Sequence, residues 1–251
     1  MTTDELIRAD TAFAGNRLLS TFSQEARALI EPFATTVELE VGDSVLQRGA
    51  QVKSSHFPIG PTLITLTVEL MGARSIEVAS IGSEGAVGGI VSCGHAPAFS
   101  SADVLVRGPA LQVPMEALEE AKARLHFVSN LFCRYSDYLL STVMQSVACN
   151  TFHSITERAA RWLLQVQGRA GDRIELTQES LAALLGVQRT TVNAVIKELA
   201  SEGLISTSRG TVRVLDPAGL KRRSCECYQR LHDHYAAVIG VGGRGAGKTS
   251  G

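Results

Sequence analysis

Hydrophobic and polar residues follow three patterns along this chain, and each pattern predicts a different kind of element. Short runs with a period of two recur between about residues 35 and 114, which is typical of an antiparallel β-barrel or sandwich. From Leu125 to Cys149 the chain has no glycine or proline, and apolar residues recur at steps of three and four, as in one long helix. After Leu176, two helical stripes and two short strands are predicted. The pattern therefore predicts an α+β chain with a β-rich part before a helical part.

The strand-like runs begin with 36–41, whose alternation ends at a Gly-Asp turn. The other predicted strands are 44–47, 56–59, 63–70, 75–80, 102–106 and 110–113. Before them, residues 13–31 show helical spacing, in which Ser23 is predicted to cap a second short helix and Pro32 to stop it.

The long helix is predicted to have two apolar faces. One face forms a heptad seam that we expect to meet the same helix of a second chain, and the other is expected to pack on the barrel. The predicted seam consists of Leu125, Val128, Phe132, Tyr135, Leu139, Thr142, Ser146 and Cys149. The opposite face consists of Leu131, Tyr138, Leu140, Val143 and Val147. The alternative is a single buried helix in a monomer. Asn150 is expected to end this helix and act as a hinge, before a further helix over about 152–167.

The segment 176–215 has the pattern of a winged helix-turn-helix. Thr177 is a suitable N-cap for the first helix, and Gly186 suits the sharp turn because glycine tolerates the left-handed region. A second helix is expected from about Gln188, with four apolar residues on one face: Val192, Val195, Ile196 and Leu199. Runs 204–208 and 211–215 then predict a β-hairpin, the wing.

The exposed face of the second helix has the chemistry of a DNA-reading element. Arg189 can bond a guanine in bidentate fashion, Gln188 and Asn193 can do the same to adenine, and Thr190 and Thr191 suit a phosphate or a thymine methyl group. Positioning contacts to phosphates are predicted for Thr177, Gln178, Lys197 and Arg209. The alternative is an ordinary helical hairpin whose charged residues are only solvated.

Composition limits these interpretations. The formal net charge of the 251 residues is −1, so any DNA-binding surface must be local. Seven basic residues cluster in or just after the motif: Arg189, Lys197, Arg209, Arg213, Lys221, Arg222 and Arg223. Five irregularly spaced cysteines, the absence of a secretory pattern at residues 1–10 and the absence of a run of ~20 apolar residues predict a cytoplasmic protein with no membrane partner.

Several strings resemble the Crp/Fnr family of bacterial transcription regulators, over about residues 15–228. The most specific is Leu184-Leu185-Gly186-Val187-Gln188-Arg189-Thr190-Thr191-Val192; the others are 56–60, 76–88, 157–164 and 225–228. The resemblance implies a cyclic-nucleotide-binding-like jelly roll over 1–124, a dimerisation helix over 125–150, a winged helix-turn-helix over 151–228 and a tail over 229–251 that is flexible at its end. It also implies a homodimer that reads a partly palindromic promoter, with RNA polymerase as a further partner, and it matches Arg189 to the arginine with which the family contacts guanine.

The sequence does not identify the ligand or signal that such a regulator would sense. The family's cyclic AMP site needs an acidic partner for the ribose and an arginine for the phosphate, whereas this chain has Gly88-Gly89-Ile90 and then Ser100, Ser101 and Asp103. No cysteine precedes Cys93, so the N-terminal iron–sulfur pattern is missing. Haem is a minor alternative, with Cys93, His95 or His56 as ligands. A DNA-binding dimer without any small ligand is another.

Three further motifs are expected to carry no chemistry. Residues 242–249 fit the phosphate-loop pattern, but too few residues follow to form the required helix, so a nucleotide hydrolase using Lys248 is a remote alternative and no enzyme is predicted. Cys225-x-Cys227 is closer than the usual zinc pair and has no evident further ligands, and His232-x-His234 is too sparse, so no metal site is predicted.

Overall fold

The computed structural model describes residues 11–71, 74–90 and 96–240. Its N-terminal part contains helix α1 over 11–15, a 3₁₀ turn at Leu19–Thr21, helix α2 at Gln24–Ile30 and a second 3₁₀ turn at Glu31–Phe33. The Ser23 side chain accepts a hydrogen bond from the Ala26 amide at 3.2 Å, which confirms it as the cap of α2. Pro32 lies in the 3₁₀ turn that follows the helix.

Within the described residues, seven strands form the β-rich part. They are β1 (Thr35–Leu39), β2 (Ser44–Leu46), β3 (Ser54–Pro58), β4 (Leu63–Leu70), β5 (Arg74–Ile81), β6 (Ser101–Val106) and β7 (Gly108–Pro114). They pair antiparallel in two sheets, with strand orders β1-β7-β3 and β2-β6-β4-β5. Buried side chains from both sheets, such as Leu39, Ile64, Val104 and Ala110, share one core. The predicted strands and jelly roll are confirmed, but within the described residues the sheets form a sandwich and not a closed barrel.

Helix α3 (Met115–Arg124) leads into the long helix α4 (His126–Phe152). The predicted seam of α4 is wrong: Val128, Phe132 and Tyr135 are buried against their own chain. The Tyr135 hydroxyl donates to the Ala86 carbonyl at 3.1 Å and accepts from the Ala86 amide at 2.8 Å, which fixes this face on the jelly roll. The helix is apolar on more than one face, so the contacts made by the folded chain, and not the periodicity, decide which face points outward.

Between its two ends, α4 exposes the large apolar residues Leu140, Met144 and Val147, at 54%, 60% and 64% exposure, and Phe127 and Phe152 are exposed at the ends. Steps of four and three place Leu140, Met144 and Val147 in one stripe on the helix surface. Leu131 and Tyr138 of the face predicted to meet the barrel are buried as predicted, but Leu140 and Val147 of the same face are exposed, so the predicted division of the helix into two faces is wrong.

The junction after α4 also differs from the prediction. Asn150 lies within the helix, which continues to Phe152, and His153 is extended. The next helix, α5 (Ile155–Ala170), begins later than predicted because the side chain of Ser154 and that of Glu157 form a reciprocal capping box. It also continues three residues beyond the predicted end at 167, to Ala170.

The C-terminal part begins with β8 (Arg173–Glu175), α6 (Gln178–Leu185) and α7 (Arg189–Ser201), followed by β9 (Ile205–Ser208) and β10 (Thr211–Val214). The three strands form a sheet in the order β8-β10-β9. Helices α5, α6 and α7 share a core with this sheet, and α8 (Pro217–Arg223) packs on α5.

The last described helix is α9 (Cys227–Ile239). It packs against α4, and its Tyr235 and Ile239 belong to the core of the N-terminal part. This packed helix lies within the segment predicted as a tail from residue 229, and the end of that tail lies outside the described residues. Across the described ranges, no helix combines the length and the apolarity needed to cross a membrane.

Candidate nucleic-acid interface

Local capping interactions set the geometry of the two helices α6 and α7. The Thr177 hydroxyl accepts a hydrogen bond from the Ser180 amide at 3.0 Å, which confirms the predicted cap of α6. Gly186 adopts the left-handed conformation, with φ 65° and ψ 36°, and turns the chain between the helices. The buried guanidinium of Arg158 on α5 donates to the Leu185 carbonyl at 2.7 Å, satisfying a carbonyl that the helix end leaves without a partner. This role of Arg158 was not foreseen from the sequence.

Helix α7 separates its buried and exposed residues as predicted. The four residues Val192, Val195, Ile196 and Leu199 are buried in the C-terminal core. On the other side Arg189, Thr190 and Lys197 are exposed and Asn193 is half-buried. At about 100° per residue these four side chains fall within one third of the helix circumference.

The wing completes a groove beside the start of α7. Thr177, Gln178, Arg189 and Arg209 line a cleft of about 320 Å³ together with residues 207–212. Four other predicted contacts, Gln188, Thr190, Asn193 and Lys197, lie outside this cleft. Thr191 is exposed, but it is rotated by about 100° from Thr190, away from the strip that contains Arg189. Part of the predicted DNA-contacting residues therefore lie together in one groove, and the others lie on the adjoining face of α7.

The basic residues of this region fall into two groups. Arg189, Lys197, Arg209 and Arg213 are exposed, and no ion pair is found for them within the described residues. Arg222 and Arg223 pair instead with acidic side chains of their own chain: Arg222 with Asp216 at 3.7 Å, and Arg223 with Glu198 and Glu202. Lys221 donates to the side-chain oxygen of Gln229 at 2.8 Å. Within the described residues, the first group therefore has no acidic partner, whereas Arg222 and Arg223 do.

Three contacts hold this domain against the jelly roll. The Trp162 indole on α5 donates to Glu77 on β5 at 2.7 Å. The guanidinium of Arg169 forms an ion pair with the buried Glu84, with Nε 3.2 Å from Oε2. A Cβ added at Gly186 would lie 3.1 Å from Ile76 Cδ1, so the turn itself approaches β5 closely. Burial raises the pKa of Glu77, against the lowering effects of hydrogen bonds from Ser80 and Trp162.

A second cavity, of about 300 Å³, lies between the jelly roll and α4. Its described lining has no charged side chain and consists of Leu46, Val52, Leu66, Ile81, 86–90, 96–100 and Leu139. Ser100 is part of this lining, whereas Ser101 and Asp103 are on β6 outside it. Of the candidate haem ligands, His56 is buried in β3, and burial lowers its pKa. Cys93 and His95 lie outside the described residues, as does the phosphate-loop string 242–249.

The fold is a jelly roll joined through a long helix to a winged helix-turn-helix. This architecture is typical of transcription regulators, and comparisons with known proteins show which of them the chain is similar to. Residues 157–223 match the Crp-like helix-turn-helix domain. The HTH-type transcriptional regulator Cmr of Mycobacterium tuberculosis is 40% identical over 52 residues, 21% of either chain. The CRP-like cAMP-activated global transcriptional regulator of the same species is 29% identical over 136 residues, 51% of this chain and 61% of that protein.

A solved structure of a putative transcriptional regulator of the Crp/Fnr family from Eubacterium rectale has the same fold. It is 17% identical, with a TM-score of 0.65, over 84% of this chain and 97% of that one. The comparisons thus show a Crp-like helix-turn-helix domain at residues 157–223 and a fold shared with a structure of the Crp/Fnr family. The chain spans no more than 61% of the length of the two curated relatives.

Proposed function

We propose that this protein is a DNA-binding transcription regulator of the Crp/Fnr type, with α7 as the helix that enters the major groove. The observation that carries the proposal is the position of Arg189, which is exposed at the first turn of α7 and shares a cleft with Arg209 of the wing. A helix N-terminus with an unpaired arginine suits base edges, and a flanking basic hairpin suits the adjoining phosphates. In this proposal Arg189, Gln188, Thr190 and Asn193 face the bases. Thr177, Gln178, Thr191, Lys197 and Arg209 face the backbone.

The exposed stripe of α4 supports a homodimer. Leu140, Met144 and Val147 offer an apolar surface on a helix of 27 residues, and a second copy of the same helix is the partner whose stripe is equally apolar and equally spaced. A dimer would present two copies of α7 to two half-sites, which fits a partly palindromic operator.

The cavity beside α4 is the proposed site of the controlling signal. Its apolar described lining disfavours cyclic AMP, because no described residue there offers a cation to the phosphate. The activation by cAMP that the name of the Mycobacterium relative states therefore is not carried over to this chain. We propose an apolar effector, with a dimer that needs no small ligand as the second candidate. We keep RNA polymerase as an expected partner of such a regulator, and we propose neither an enzymatic role nor a haem, for which His56 is the candidate ligand among the described residues.

The proposal is tested by footprinting the purified protein on the DNA upstream of its own gene. We expect one protected site with two related half-sites, and sedimentation of a dimer at the concentrations that give protection. Protection of a single unpaired half-site by a monomer would overturn the dimer. No protection on this DNA or on a selected random pool would overturn DNA reading.

The choice between an effector and a ligand-free dimer is tested by thermal unfolding against a panel of apolar metabolites and cyclic AMP. A ligand that binds the folded state raises the unfolding midpoint as its concentration increases. A matched variant, Leu66→Arg, places a charge in the cavity and should remove that shift. If cyclic AMP alone raises the midpoint, the proposed apolar effector is wrong.

A further inference from the structure

Four potential metal ligands converge where the long helix ends. Cys149 lies in the last turns of α4, and His153 is its C-terminal cap, four residues later. Cys225 precedes α9, and Cys227 is the first residue of α9. The three cysteines are buried at 0%, 4% and 0% exposure and form a small cluster separate from the main cores. Cysteines from two distant segments thus share one site with a histidine.

The distances within this cluster match a tetrahedral site for a single ion. The ligand atoms of all four residues lie within 4.8 Å of one another. Cys149 Sγ is 3.6 Å from Cys225 Sγ, and Cys227 Sγ is 3.5 Å from His153 Nδ1. A zinc ion with Zn–S of about 2.3 Å and Zn–N of about 2.05 Å separates its tetrahedral ligands by about 3.8 Å (S to S) and about 3.6 Å (S to N). The two distances are therefore close to the edges of such a tetrahedron.

Neighbouring side chains complete the surroundings of such a site. His153 Nε2 lies 3.1 Å from the Glu226 carboxylate, so Nδ1 is the nitrogen that faces the sulfurs. A carboxylate on the far nitrogen is the usual partner of a metal-bound histidine, because it fixes the ring and its tautomer. The Gln145 amide donates to Cys227 Sγ at 3.0 Å, as expected for a sulfur that carries negative charge. The buried Arg158 lies close enough to interact electrostatically with Cys149 and Cys225, which would offset the charge of three thiolates on a divalent ion.

We propose that Cys149, His153, Cys225 and Cys227 bind one structural Zn²⁺ ion. Three thiolates and one imidazole in a closed tetrahedral set are the ligands that zinc prefers in structural sites. The set leaves no open position, so the ion would bind without catalysing a reaction. No metal site was predicted from the sequence, because Cys225-x-Cys227 has no evident further ligands nearby in the chain; the fold brings two candidates, Cys149 and His153, from the end of α4.

At this location, the ion would hold two segments of the chain together. His153 separates α4 from Ser154, the cap of α5, so the ion would tie the end of the proposed dimerisation helix to α9 at the point where the DNA-binding domain begins. Structural zinc contributes directly to folding stability. Removing it should therefore loosen the junction between the two parts of the chain.

Two other states of these cysteines, a disulfide and an iron–sulfur cluster, differ from a single-ion site in their sulfur–sulfur distances. A disulfide between Cys149 and Cys225 requires sulfurs about 2.05 Å apart, closer than the 3.6 Å observed. An iron–sulfur cluster places several metal atoms between its cysteine sulfurs, which then stand farther apart than those of a single-ion site.

The test is elemental analysis of the untagged full-length protein, purified under reducing conditions and dialysed against metal-free buffer. We expect one zinc per chain, and after replacement by Co²⁺ we expect the intense visible bands of tetrahedral thiolate-bound cobalt. Cys225→Ser should lose the cobalt bands, whereas Cys133→Ser, which changes an exposed cysteine outside the cluster, should keep them. Chains without zinc that also fail to take up Zn²⁺ or Co²⁺ would overturn the proposal. So would iron with labile sulfide, or a Cys149–Cys225 disulfide found by mass spectrometry of the freshly purified chain.

A second variant keeps the test decisive if Cys225→Ser does not fold. Glu226 is mostly exposed, so Glu226→Gln should fold and should still bind zinc, with an affinity lower by about 10-fold to 100-fold in competition with a chelator. An unchanged affinity would contradict the proposed role of Glu226 as the carboxylate partner of a zinc-bound His153. Metal content is measured without DNA, so this result is independent of the proposed function.

Discussion

Replacing Arg189 and Arg209 separately distinguishes base reading from backbone binding. Both side chains are exposed and have no ion pair within the described residues, so neither alanine variant should disturb the fold. Arg189→Ala removes a proposed bidentate contact to guanine, and Arg209→Ala removes a proposed contact to phosphate. The two losses should differ in their dependence on DNA sequence and on salt.

The expected magnitudes follow from two copies per dimer. A bidentate base contact discriminates by about 1–3 kcal/mol, so losing two costs about 2–6 kcal/mol on the cognate site, or on the order of 30-fold to 10⁴-fold in Kd. Random DNA should bind Arg189→Ala with a much smaller loss. Losing two phosphate contacts should lower the slope of log K against log salt by about 1.8 and weaken cognate and random DNA alike.

The assay is fluorescence anisotropy on cognate and scrambled duplexes at several salt concentrations. Arg189→Lys is a matched variant, because it keeps the charge and loses the planar fork; it should keep the salt slope of the unmodified protein and lose discrimination. Arg48→Ala, which removes an exposed arginine of the jelly roll, should change neither quantity. If Arg189→Ala and Arg209→Ala weaken cognate and scrambled DNA by equal factors, the assigned roles are wrong.

Three further predictions concern the helix α4 and the domain contact. Val147→Glu should raise the dimer Kd by at least about 100-fold, because the dimer loses two buried apolar side chains of about 1.5 kcal/mol each. Equilibrium sedimentation measures this Kd, and an unchanged value would exclude the stripe as the interface. Tyr135→Phe leaves the Ala86 amide and carbonyl without their buried partner and should lower the free energy of unfolding by about 1–3 kcal/mol in urea titration, whereas a neutral result would mean that water replaces the hydroxyl. Burial raises the pKa of Glu77 in the folded protein, so the folded state favours the protonated carboxyl and ionisation opposes folding. The protonated Glu77 therefore contributes its full stabilisation below the unfolded pKa of about 4.5, and this contribution is lost as pH rises through the folded pKa. Glu77→Gln can still accept from Trp162, so it should gain stability relative to the unmodified protein as pH rises above about 4.5, as urea titrations at each pH would show. A constant difference would contradict the raised pKa.

Features that depend on neighbouring residues could be predicted from the sequence. The Thr177 cap, the left-handed Gly186 and the buried stripe of α7 are each set by interactions within a few residues, and all three were predicted correctly. The strands of the jelly roll were likewise found, because alternation and turn residues are local signals. The assignment of DNA-contacting roles still stands as a prediction.

Features that depend on distant residues were decided by the tertiary structure. Helix α4 is apolar on more than one side, so its sequence was compatible with either orientation, and only the fit of Tyr135 and Phe132 into the jelly roll exposes Leu140 and its neighbours. Cys149 and Cys225 are 76 residues apart, and no local pattern relates them. The sequence by itself determined the winged helix-turn-helix, because capping and amphipathic spacing act over single turns. Packing between remote segments decided which face of α4 is free and which side chains gather at its end.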